Sequence, residues 1–511
     1  MSLPLEFADT GQAPASGACK ASFEAVAHAL MDLRSAGSQW AAVPVRRRLR
    51  TIRALRHLIA ERADALAESV TLPQRGDPAQ TLGGEVLPLA EACRFLEHRA
   101  GAALRPRRIR GGRPVWLWGT KLELRREPMG VVLILGPSNY PLFLPGVEAI
   151  AALAAGNAVA VKPGAGGAAP MNILCELLRE AGLPEGLFAV LDESPQAGRD
   201  AIGAGVDKVL LTGSAATGAA VLAELAPRLT PATMELSGCD AAFVLADADL
   251  DLAARALAFG MTINGGCTCI APRRIFAVRQ VSEVLTVELR TRLDQSSPVP
   301  IDPRLEPRIR ELVGAAVDAG ARIICGSMPE GGVMRPLLLS GAEPGMTLLK
   351  TDLFAPVASI VTVEDEQAAL AAARQCPYAL GATVFATPRR AKALALRINA
   401  GAVVINDMIA PLADPWMPFG GRGRSGFGVT RGIEGLLSLT NLKAVAIRGG
   451  RFRPHFEPAA ADDAELFKNA LNASHGRGIV ARMKALCRLP ASLGRWQQRR
   501  TKQAAEKEQH R

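Results

Sequence analysis

The sequence predicts an α/β protein built on parallel sheet with crossover helices, and three observations carry that expectation. Between Gly130 and Thr212 short β-branched runs alternate with Ala/Leu-rich helical stretches, and parallel strands require such crossovers. Six further strand-like runs follow Glu235, at 242–245, 274–278, 321–325, 358–363, 381–386 and 402–405. With 511 residues, 49% hydrophobic and 21% charged, the chain can bury more than one core, which excludes disorder as its main state.

Residues 1–21, rich in Ala, Gly, Pro and Ser, read as a flexible start. From Ser22 to about Val70 the apolar residues recur at helical spacing, with arginines at 46, 47, 48, 50, 53 and 56. No aromatic residues interleave that cluster for base stacking, so a solvated helix face is expected and no nucleic-acid partner. A second helical stretch covers 83–103. Basic residues from Arg105 to Arg113 then lead through Val115-Trp116-Leu117-Trp118 and Gly119 into Leu122, a hairpin pattern able to reach a neighbouring subunit. The first sheet follows, with strands at 131–135, 158–161, 188–191 and 208–212 and helices at 146–155 and 171–182. Ligands bind at the carboxyl ends of such strands. The segment Met129–Val161 carries one charge, Glu148, but Pro137, Asn139, Pro141 and Pro145 interrupt it, so it reads as buried strand and helix, not a membrane span.

The formal charge of +11 is unevenly placed: residues 475–511 hold 10 basic and 2 acidic side chains, a net +8. Within that tail Ile479, Val480, Met483, Leu486 and Cys487 share a helical face, with Arg482, Lys484 and Arg488 elsewhere. Such a helix suits an anionic membrane surface or a partner groove, while a poorly ordered solubilising tail is the preferred expectation. Nine scattered cysteines do not form a disulfide framework, and Glu6 and Asp9 precede the first basic side chain, Lys20, unlike a secretory signal. A cytoplasmic protein with reduced thiols is expected.

Three segments carry candidate chemistry. Cys269 lies in Asn264-Gly-Gly-Cys-Thr-Cys-Ile-Ala-Pro272, where glycines permit close approach to a ligand, although an isolated cysteine is usually an inert core residue. Cys267 nearby raises a metal site, but no Cys or His at zinc spacing accompanies it, and none is expected. Glu235, in Met234-Glu-Leu-Ser-Gly-Cys239, has apolar neighbours that would raise its proton affinity, as suits a general base. Asn139, in Gly136-Pro-Ser-Asn-Tyr-Pro-Leu142, closes the first strand and can donate to an oxyanion, or serve the turn alone.

In order along the chain, Gly-Pro-Ser-Asn-Tyr-Pro at 136–141, Gly-Asn-Ala-Val-Ala-Val-Lys-Pro at 156–163, Thr-Gly-Ser with Gly218 at 212–218, Glu-Leu-Ser-Gly at 235–238, the Cys269 segment, Phe354 with Pro356, and Pro-Phe-Gly-Gly at 418–421 make the chain similar to the aldehyde dehydrogenase superfamily over roughly residues 22–450. Glu235 and Cys269 are 34 positions apart, as in that family. The compact core resembles the shorter, class 3-like branch, which often forms dimers.

The resemblance implies a Rossmann-like dinucleotide-binding domain (22–104 and 129–234), a second α/β catalytic domain (235–433), a β-hairpin oligomerisation arm (105–128 and 434–450) and a basic tail (451–511). It implies that Cys269 attacks the aldehyde, that Asn139 and the Cys269 N–H stabilise the oxyanion, and that Glu235 activates the water that hydrolyses the thioester. For NAD or NADP, it implies contacts from Lys162, Gly213, Ser214, Gly218, Asp352 and Phe354. Departures qualify it. Ala165 stands where a ribose-binding glutamate is frequent, leaving NADP open; Asp352 is one methylene short, and Ala355 replaces a glycine. Ser138, Ser237, Cys239 and Ala241 also depart from the family pattern. The expected function is oxidation of an aldehyde to a carboxylic acid. The alternatives are a CoA-acylating enzyme, which generally lacks the hydrolytic base, and a non-catalytic scaffold of the same fold. Trp416, Phe143 and Phe354 suggest an apolar substrate funnel or, equally, core packing.

Overall fold

Five aliphatic residues, Val131–Leu135, form a strand with every side chain buried, the pattern of a strand covered on both faces. In the computed structural model, which describes residues 16–111, 117, 119–449, 456 and 461–509, this strand centres a six-stranded sheet. Ala158–Lys162 and Lys208–Gly213 flank it in parallel. Phe188–Val190 and Ala232–Leu236 extend the sheet on either side, also parallel. Gly426–Phe427 closes one edge antiparallel, pairing Gly426 with Glu235. The helix Phe143–Ala155 is almost wholly buried and ends at Gly156, whose φ of 103° a side chain would resist. Each fully buried Val, Leu or Ile in this core contributes about 1.5–3 kcal/mol.

A seven-stranded sheet carries the second core in the order Arg322–Cys325, Leu337–Ser340, Val357–Val363, Pro272–Val278, Asp240–Val244, Gly381–Phe385 and Ala402–Ile405. Only its first pair is antiparallel. Phe243 and Phe276 meet in its core with ring centroids 5.6 Å apart. Residues 237–239 carry the chain from the first sheet to the second, and residues 406–425 return it to Gly426–Phe427 at the edge of the first.

The helical stretch expected at 22–70 is three helices, Ser16–Ala42, Val45–Glu61 and Ala63–Ser69. Pro44 caps the second. Helix therefore begins within the segment expected to be flexible, while residues 1–15 lie outside the described residues. Arg48 departs from the solvated-face expectation: it is buried, its Nε and one terminal nitrogen lack partners, and desolvation lowers its pKa to about 10. In the second stretch the π-helical turn Leu82–Val86 precedes Leu87–Ala103.

Arg107–Ile109, Thr120–Pro128 and Thr440–Arg448 form a three-stranded sheet. Residues 434–438, assigned above to the arm, belong to the helix Gly432–Ser438. Most of the Val115–Trp118 hairpin pattern lies outside the described residues. By contacts the chain divides into two compact units, Met1–Ile109 with Glu123–Val445, and Arg110–Leu122 with Ala446–Arg511. In the second unit, the poorly ordered tail preferred from sequence is instead an antiparallel pair of helices, Ala461–His475 and Ile479–Gln509. Asn469 donates to Ser492 Oγ at 3.0 Å, Arg495 pairs with Glu465 at 3.0 Å, and Arg499 pairs with Asp463. No helix among the described residues is long and apolar enough to cross a membrane.

Candidate active site

The loop that leads to Cys269 is shaped by three successive residues in left-handed conformation, Asn264, Gly265 and Gly266, with φ of 52°, 61° and 76°. A Cβ on Gly266 would fall 2.5 Å from Pro356 N, so this loop lies directly on the 352–356 segment. Cys269 follows, half-buried, and packs against the small cluster of Leu380, Ala402, Val404, Leu412 and Phe419. Burial pushes its thiol well above the ordinary range, and the charges of Glu235, Asp240 and Asp352 add to the shift while Arg431 opposes it. Cys267 is directed elsewhere: its Sγ–H donates to the Phe354 carbonyl at 3.3 Å, and burial pushes its pKa to about 11.

Glu235 sits on the last parallel strand of the first sheet and is buried. Burial raises its carboxyl; Arg431 and a hydrogen bond from Thr430 Oγ1 to Oε2 (3.3 Å) oppose that rise. Arg431 spreads its guanidinium over Phe419, 4.6 Å from the ring centre, and over Phe143 at 5.9 Å. Behind it Glu148 is raised well above its usual range, by burial first and then by Glu235, and Lys208 is lowered to about 8 by burial. Glu235 thus belongs to a buried series of acidic and basic side chains. Phe143 is part of the first core, not of an open funnel.

Asn139 is buried, and its Nδ2 donates to the Cys267 carbonyl at 2.9 Å. Its amide group carries a second N–H. The loop bearing it is held by a pair that sequence reasoning missed. Glu85, delivered by the π-turn, accepts from the Leu142 and Phe143 N–H groups at 2.8 and 3.0 Å and pairs with Arg75. Arg75 in turn donates to Asn139 O (3.0 Å) and Asn264 Oδ1 (2.8 Å), joining the Asn139 loop to the Cys269 loop.

A second missed residue is Arg273, which donates to the carbonyls of Ala355, Gly266 and Thr268 at 2.6, 2.7 and 3.5 Å and pairs with Asp352 at 3.2 Å. Its sequence signal was two adjacent arginines, 273 and 274, opening a strand that is otherwise apolar. Asp352 is therefore turned toward Arg273. Its Oδ2 is buried with no hydrogen-bond partner among the described residues, an acceptor that a ribose hydroxyl would satisfy. Phe354, at φ 52°, donates its N–H to Asp352 Oδ1 at 2.9 Å.

The remaining dinucleotide candidates line the carboxyl ends of the first sheet. Gly213 ends its strand, and Ser214 caps the helix Ala215–Leu225, accepting from Thr217 N–H at 3.0 Å. A Cβ on Gly218 would lie 2.7 Å from Leu236, so a bare residue lets this helix start reach the sheet end, where it can hold a pyrophosphate. Lys162 is half-buried and its pKa is lowered by desolvation, with Glu193 and Asp192 opposing. Glu193, absent from the sequence reading, accepts from Gly166 and Ala168 N–H at 2.9 and 2.7 Å. It brings a carboxylate to the loop of Ala165. Its position just beyond the strand Phe188–Val190 was the available signal.

The aldehyde dehydrogenase family model matches residues 10–445. The chain belongs to the aldehyde dehydrogenase family. It is 35% identical over 434 residues to succinate-semialdehyde dehydrogenase [NADP(+)] of Deinococcus radiodurans, covering 80% of this chain and 87% of that one. It is 28% identical over 459 residues to 4,4'-diapolycopene aldehyde oxidase of Methylomonas sp, with coverage of 88% and 86%. The crystal structure of a Mycobacterium tuberculosis aldehyde dehydrogenase complexed with NAD+ is similar at 26% identity and a TM-score of 0.77, covering 84% of this chain and 92% of that one. This family member is accordingly an NAD(P)-dependent enzyme of aldehyde oxidation.

Proposed function

We propose that Cys269 Sγ attacks the aldehyde carbonyl and that the resulting thiohemiacetal is oxidised to a thioester, which water hydrolyses to the carboxylic acid. What supports this reading is the packing of the Glu235 strand end on the Cys269 loop: a Cβ on Gly238, three residues past Glu235, would stand 2.5 Å from the Cys269 carbonyl oxygen, and the Glu235 charge adds to the rise of the Cys269 thiol. Bound NAD(P) supplies the hydride acceptor. The second N–H of Asn139 and the Cys269 N–H donate to the oxyanion. Glu235, whose proton affinity burial raises, takes the proton of the attacking water in its carboxylate form, and collapse of the tetrahedral adduct returns the sulfur as thiolate. Lys162, Ser214 and the start of the helix at Ala215 hold the adenosine and pyrophosphate side, and Asp352 and Phe354 the nicotinamide side.

The domain reading assigns dinucleotide binding to the six-stranded sheet and catalysis to the seven-stranded one. The enzyme acts as a cytoplasmic homodimer through the three-stranded sheet, whose strand Arg107–Ile109 is exposed along its length. The eight cysteines whose side chains are described are free thiols, consistent with that compartment. A pre-steady-state assay with Glu235→Gln tests the chemical reading: one equivalent of reduced nucleotide released fast, followed by slow turnover, supports it. Turnover that requires CoA would instead favour the acylating alternative.

A further inference from the structure

The long helix Ile479–Gln509 packs one side against its partner helix and leaves another bare. The packed side holds Ala485, Ser492 and Trp496, all buried. On a different side Ile479, Val480, Met483, Leu486 and Leu493 are each 42–79% exposed. At 100° per residue these five fall within one sector of the helix, and they extend about 21 Å along its axis. The partner helix adds Phe467 and Leu471, one turn apart and both exposed. Large apolar side chains gathered in this way mark a binding surface.

The charges around the stripe identify its occupant. No acidic residue occurs between Gly476 and Arg500, while Arg482 and Lys484 border the stripe on its two sides and Arg488 follows one turn later. Arg482 donates to the Ser474 carbonyl at 2.6 Å and carries no carboxylate partner among the described residues. A second copy laid stripe to stripe would bring these cations together. An anionic bilayer supplies apolar depth under the stripe and negative charge at its edges, and a helix that cannot span lies in the interface plane.

We propose that the C-terminal helical pair is a peripheral membrane-docking element that seats this exposed stripe in the headgroup region of anionic lipid. Docking is separate from the catalytic chemistry and places the enzyme where lipid-dissolved aldehydes are found.

The test is flotation of the full chain with phosphatidylglycerol-rich or pure phosphatidylcholine vesicles. The wild type floats with the former, and high salt weakens that binding, because each basic side chain adds to the attraction. Met483→Asp with Leu486→Asp abolishes flotation. Lys484→Glu with Arg488→Glu weakens it about tenfold or more. Both variants keep the wild-type helix content and the wild-type rate with a short water-soluble aldehyde. Wild-type protein left in the soluble fraction, or variants that float equally, would overturn the proposal. So would a halved particle mass of Met483→Asp/Leu486→Asp in light scattering without any vesicle binding by the wild type, which would assign the stripe to a second copy.

Discussion

Breaking the Arg75–Glu85 pair should destabilise the enzyme in a strongly non-additive way. The two side chains are 3% and 0% exposed, so removing either leaves its partner in a site with no water to replace it. Glu85→Gln keeps an oxygen for the Leu142 and Phe143 N–H groups but strands the guanidinium, and breaking a buried pair in this way costs about 3–5 kcal/mol. Arg75→Met strands the carboxylate and also removes the donors to Asn139 O and Asn264 Oδ1. Independent losses of about 3 kcal/mol each would sum to about 6. The double variant Arg75→Met/Glu85→Gln should lose about 4 kcal/mol, because no buried charge remains unpaired, giving a coupling of about 2 kcal/mol. Urea unfolding of all four proteins, followed by tryptophan fluorescence, measures that coupling. Arg75→Met should also lower kcat, since it releases the Asn139 loop from the Cys269 loop. Additive losses in the double variant, or single losses below about 0.5 kcal/mol, would refute the assignment of a buried, mutually dependent pair.

Other expectations concern the reaction itself. Cys269→Ala should reduce aldehyde oxidation on the order of 10⁴-fold or more in a reduced-nucleotide absorbance assay, whereas Cys267→Ala, which loses weak thiol contacts to the Gly265 and Phe354 carbonyls, should stay within about tenfold of wild type. Glu235→Gln should slow steady-state turnover about 10²–10⁴-fold while product-trapping at early times still finds one equivalent of acyl-enzyme. Because burial raises the Glu235 carboxyl, the rate should fall on acidification at a pH above the ordinary carboxylate range. Arg431→Met removes a charge that lowers that pKa, so the acid limb of the pH–rate profile should move to higher pH. Glu193→Gln removes a carboxylate from beside Lys162, and the ratio of kcat/KM for NADP over NAD should rise several-fold.

The buried strands were legible because a sheet covered on both faces writes itself as uninterrupted apolar runs, as at 131–135 and 275–278. The segments of Cys269, Glu235 and Asn139, which the structure brings together, were marked in the sequence by neighbouring glycines and prolines that shape their loops. The residues that hold those loops were not, since Arg75 acts on Asn264 across 189 positions and Arg273 on Asp352 across 79. A charged side chain's burial depends on a partner that local pattern does not reveal. Arg48 shows the same limit, reading as solvated yet lying inside. The tail misled in another way: its apolar positions foretold a helical face, but the surface that pairs the helices uses Ala485, Ser492 and Trp496.

The strap between the two sheets has a dynamic consequence. From Leu236 to Asp240 four peptide steps span at most about 14 Å, and a Cβ on Gly238 would stand 2.5 Å from the Cys269 carbonyl oxygen. The chain also crosses back through residues 406–425 to pair Gly426 with Glu235, so the two sheets are tied twice beside the same carboxylate and move least relative to one another there.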